Sequence, residues 1–92
     1  MLSKTQESRV EFVNTEMDTC FQHVKDARAA LSAGDLEQGK QYARAGENGY
    51  ENIVKFLAEI ESTDRRAQIE HRWNQLRAEL DDVQTQLTMR SE

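Results

Sequence analysis

From Val10 onward, the residues Val10, Val13, Met17, Cys20, Val24, Ala27 and Leu31 recur at spacings of three and four in strict alternation. That period, close to 3.5, keeps one stripe of a helix turned toward a neighbour, as in a coiled coil. A second stripe obeys the same rule through Leu36, Gly39, Ala43, Gly46, Tyr50, Ile53, Leu57 and Ile60. A third runs through Ile69, Trp73, Leu76, Leu80, Val83 and Leu87. Phe21 widens the first stripe, and Tyr42, Gly49 and Phe56 form a heptad row beside the second. Phe12, Val54 and Met89 fall off the stripes and are expected at the surface. The chain contains no proline to interrupt these helices.

The boundaries between stripes follow from local chemistry. Gly34 suits the left-handed position that ends a helix, Asp35 can cap the next one, and Gln38 completes a capping-box pattern. If the second stripe continued past Ile60 it would meet Asp64, Ala67, His71 and Asn74. The third stripe restarts two residues out of phase, and two residues turn a helix face by about 200°. A turn around Ser62-Thr63-Asp64 resolves the mismatch, although one long bent helix would also accommodate it. The expectation is an all-α, antiparallel up-down-up three-helix bundle forming a single domain, with helices over about 4–32, 35–61 and 64–89 and a frayed tail from Met89.

Composition narrows the partners. Hydrophobic residues make up 37% of the 92, enough for one stripe per helix and one modest core. Twelve basic and seventeen acidic residues leave a net charge of -5. Acidic residues outnumber basic ones in each third of the chain, so neither nucleic acid nor an anionic membrane finds a cationic footprint. Arg65-Arg66 is only a pair, read as a solvated helix start. A lone Cys20, no apolar leader and no membrane-length apolar run fit a soluble, cytoplasmic protein.

Three of the four glycines lie between Gly39 and Gly49, within a continuous stripe. Each glycine inside a helix costs roughly 0.8 to 1 kcal/mol relative to alanine. Three readings stay open. The helix breaks at Gly46-Glu47-Asn48-Gly49; or the glycines admit a bulky neighbour; or they leave a groove rimmed by Tyr42, Tyr50 and Phe56 that accepts a partner's side chain or a small apolar ligand. A fold-back about Ala33-Gly34 sets Gly46 against Phe21, and Gly49 opposite Met17 and Asp18. Phe21 is then the expected occupant of the dent.

Ala27, the run Leu31-Ser-Ala-Gly34-Asp35-Leu36, Gly39 and Gly46 resemble the small-residue frame of a tetratricopeptide (TPR) repeat. The resemblance covers residues 23–53 and implies a closely packed helical hairpin, here closed by a third helix. His23 and Ala43 stand where that family favours large aromatics, there is no closing proline, and no second copy follows. The family's role in binding peptides implies an interaction function without assigning contact residues.

Catalytic signals are weak. Cys20 and His23 share a helical face with Glu16 one turn earlier, but a cysteine on an apolar stripe behaves as a small hydrophobe. Gln68 stands where a di-iron bundle would place glutamate before His71. Trp73 lies on its stripe and needs a partner for its indole N–H. The expectation is no enzyme, metal or cofactor, but a protein-interaction or scaffolding module that self-associates or binds another protein. Its candidate contacts are Phe21, Tyr42, Gly46, Gly49, Tyr50 and Phe56. The alternatives are a carrier or sensor with an apolar ligand in the glycine dent, or a core completed only in an oligomer.

Overall fold

The computed structural model describes residues 4–91 and comprises three helices, α1 (Lys4–Ser32), α2 (Leu36–Leu57) and α3 (Thr63–Ser91). They pack into a rod of 50 × 16 × 16 Å, the length expected where two 29-residue helices at about 1.5 Å per residue set the long axis. The stripes meet along its axis. All seven α1 stripe residues are buried, as are Gly39, Ala43, Gly46, Ile53 and Leu57 of α2 and Ile69, Leu76, Leu80, Val83 and Leu87 of α3. Leu36, Tyr50 and Trp73 are half-buried at the margins.

The first corner is closed by backbone hydrogen bonds. Gly34, at φ 81°, donates to Leu31 O at 3.0 Å while Asp35 N donates to Ala30 O at 2.9 Å, the paired bonds of a Schellman motif. Asp35 Oδ1 then accepts from Gln38 N at 3.0 Å and caps α2. Only this half of the capping box forms, because the Asp35 N–H is already committed to Ala30.

The second corner differs from the sequence expectation. α2 ends at Leu57 instead of reaching 61, and residues 58–62 form an irregular link. Glu59 N and Ile60 N donate to Phe56 O and Leu57 O, tightening the last turn. Ile60 is only 1% exposed, so it extends the apolar stripe without being helical. The buried Gln6 side chain, at the start of α1, holds this link from across the rod. Its amide nitrogen donates to Glu59 O at 3.2 Å and its oxygen accepts from Glu61 N at 2.9 Å. Ser62 precedes α3, its hydroxyl accepting from Arg65 N at 3.4 Å. There is therefore a corner and no single bent helix.

Cross-contacts define the topology. α1 and α3 run parallel: Asn14 and Asp18 meet Arg72, Arg28 meets Glu79 and Asp82, and Leu31 O accepts from Arg90 at 2.5 Å. α2 runs opposite to both. The Arg90 contact accompanies continuation of α3 through Ser91, beyond the expected fraying point at Met89.

Candidate interaction surface

The glycine-bearing face of α2 is continuous helix, and the same chain fills it. A Cβ at Gly39 would touch Leu31 and Leu87 at 3.4 Å. At Gly46 it would lie 2.9 Å from Leu80 Cδ2 and 3.8 Å from His23 Cβ, and at Gly49 it would collide with Cys20 Sγ. Close packing thus accounts for the glycines. The expected occupant, Phe21, is not the one found. The α1–α2 register is slid by two to three residues from the fold-back guess, placing His23 at the level of Gly46 and Cys20 at that of Gly49. The Schellman corner at Gly34-Asp35 sets that register. Phe21 instead flanks α3, beneath the Arg72 guanidinium at 5.6 Å.

The aromatic residues read as one rim are distributed over separate seams. Tyr42 stacks on His23, their centroids 6.5 Å apart, and Phe56 meets Phe12 edge-on at 4.9 Å; both pairs line the α1–α2 side. Tyr50 lies on the α2–α3 side, stacked on Trp73 at 4.4 Å with the rings within 5° of parallel. Trp73 Nε1 donates to Tyr50 O at 3.1 Å, satisfying the indole. Arg77 covers the other part of this assembly, 4.7 Å from the Tyr50 centroid. It donates twice to Glu47, at 2.8 and 2.6 Å, and pairs with Asp81. These hydrogen bonds raise the Arg77 pKa further, against the opposing effect of burial.

Gln6, Arg28, Arg72, Arg77 and Arg90 were not singled out as structural contacts by sequence reasoning. Gln6 carried a signal, since one further step of four back from Val10 lands on it, marking a polar residue in an apolar stripe. The cross-helix contacts of the arginines carried none, because those partners lie 30 or more residues away and depend on register; the Arg77–Asp81 pair, four residues apart on α3, is the exception.

Chemically the interior is quiet. Burial, followed by the Glu16 charge, pushes the Cys20 thiol up to about 11, leaving it protonated at neutral pH and poor as a nucleophile. His23 Nδ1 is sequestered with no hydrogen-bond partner among the described residues. No group of three or more His, Cys, Asp or Glu side chains among them is arranged to hold a metal ion. No described helix is long and apolar enough to cross a membrane.

Apolar surface remains on both flanks of the C-terminal half of α2. Phe12 is 46% exposed on one side and Val54 46% on the other. Beside Val54, a shallow hollow between α2 and α3 is lined by Leu57, Ala58 and Trp73 together with Arg66 and Glu70. Comparison with family models, curated proteins and solved structures finds no match for the chain.

Proposed function

We propose that the chain is a non-catalytic protein-interaction module whose contact surface is the C-terminal half of α2 with its flanks. The observation carrying this reading is the division of labour along α2. Its N-terminal and central small residues are filled from within by Leu31, Leu80, Leu87 and Cys20, whereas Val54 remains open beside a tryptophan. Aromatic and apolar residues at the margin of a packed core are the groups that anchor protein contacts. The resemblance of residues 23–53 to a TPR-like hairpin supports the same class of function. The inert setting of Cys20 supports a role without nucleophilic chemistry. An apolar-ligand carrier is disfavoured because the glycine face it required is occupied.

Replacement of Val54 by a photo-crosslinking benzophenone residue tests the reading. The expected result is a discrete protein adduct, to another protein or to a second copy, with none from the same probe at exposed Lys40. Absence of a discrete Val54 adduct in the native cell and in concentrated pure protein would overturn it.

A further inference from the structure

The hollow between α2 and α3 combines exposed Val54, the half-buried Trp73 and the edge of Leu57 with two charged groups of opposite sign, Arg66 and Glu70. Arg9, Arg28, Arg72 and Arg77 each pair with a carboxylate, but neither Arg66 nor Glu70 forms an ion pair with any described residue. They lie one turn apart with Arg first, the less favourable order for an intrahelical pair. A molecule of net charge -5 repels its own copies over most approaches, yet here the two charges cancel. The pattern is also self-complementary. Two α3 helices laid antiparallel about a two-fold axis bring each Arg66 to the other's Glu70, forming two intermolecular pairs around the apolar patch.

Resting on the interaction reading above, we infer that this hollow is a homodimer contact and that its occupant is the same hollow of a second copy. The patch is small compared with standard interfaces of roughly 1,600 Å², so the dimer is weak and forms at high micromolar concentration. Trp73 is the only tryptophan and sits in the contact, giving an intrinsic reporter.

Sedimentation velocity and Trp73 emission, followed to about 1 mM, test the assignment with charge reversals that leave the core untouched. Arg66→Glu and Glu70→Arg alone should each weaken dimerisation about tenfold or more, by setting like charges face to face. Mixing the two variants should restore it, because all-acidic and all-basic hollows then meet in a heterodimer. Unchanged circular dichroism establishes that both variants fold. Wild-type protein that stays monomeric throughout overturns the second-copy inference, and the interaction reading then rests on the Val54 crosslink to another protein. Wild-type dimers indifferent to the reversals, or singles not rescued by mixing, overturn this hollow as the contact while leaving self-association standing.

Discussion

The contact between Cys20 and Gly49 is the tightest test of packing at the level of single residues. Gly49→Ala gains helix propensity of roughly 1 kcal/mol but drives a methyl group into Cys20 Sγ, and overpacking costs about 1 to 3 kcal/mol. Chemical denaturation should therefore find this variant no more stable than wild type, and less stable where the thiol cannot turn away. Cys20→Ala vacates the space, so the double variant should exceed either single, a coupling read from a double-mutant cycle. The same thiol makes stability depend on alkaline pH. Its folded pKa of about 11 exceeds the ordinary value of 9.0. The folded state consequently holds a proton that the unfolded chain releases, and the associated stability is intact below about pH 9 and declines as pH rises toward 11. Cys20→Ala should flatten the denaturation midpoint across that window.

At the scale of helices and corners, Gln6 joins the first turn of α1 to the link after α2 through two hydrogen bonds. Gln6→Leu is expected to cost about 1 to 3 kcal/mol by leaving Glu59 O and Glu61 N without these partners. Amide exchange should accelerate at residues 59–61 before it does so in mid-helix. The seams were legible because a 3.5-residue period survives whatever the helices pack against, and every α1 stripe residue is buried. Where α2 ends was not: Ile60 keeps the helical phase while lying in the link, and no glycine or proline marks the change. Nor was the register of α1 against α2, because fold-back depends on how many residues Gly34 and Asp35 consume in closing the first corner. That slip, less than one helical turn, explains why Phe21 is not in the dent. The aromatic candidates scatter for a different reason: Tyr42 and Phe56 face α1 and Tyr50 faces α3 around the circumference of α2. Of the three readings left open for the glycines, close packing is the one found, but neither the occupants nor the hollow at Val54 follows from periodicity.

Across the whole molecule, α3 is fastened to both neighbours by arginines: Arg28 and Arg72 bridge α1 and α3, and Arg77 ties α3 to Glu47 of α2. Most of these groups are well exposed, where an ion pair contributes only about 0 to 1 kcal/mol, but Arg77 and Glu47 are more enclosed and bidentate. Arg77→Ala, which also uncovers the Tyr50 ring, should lower the melting temperature more than Arg72→Ala, with a smaller loss at high salt for the exposed pair. The parallel course of α1 and α3 has an electrical consequence for the rod. One helix dipole is cancelled by α2 and the other is left over, equivalent to about half an elementary charge of each sign at opposite ends. Glu7 and Asp64 sit in the first turns at the positive end, and Arg90 in the last turn at the negative one. The rod is therefore polar along its length as well as acidic, and two copies laid side by side reach their lowest field energy pointing in opposite directions.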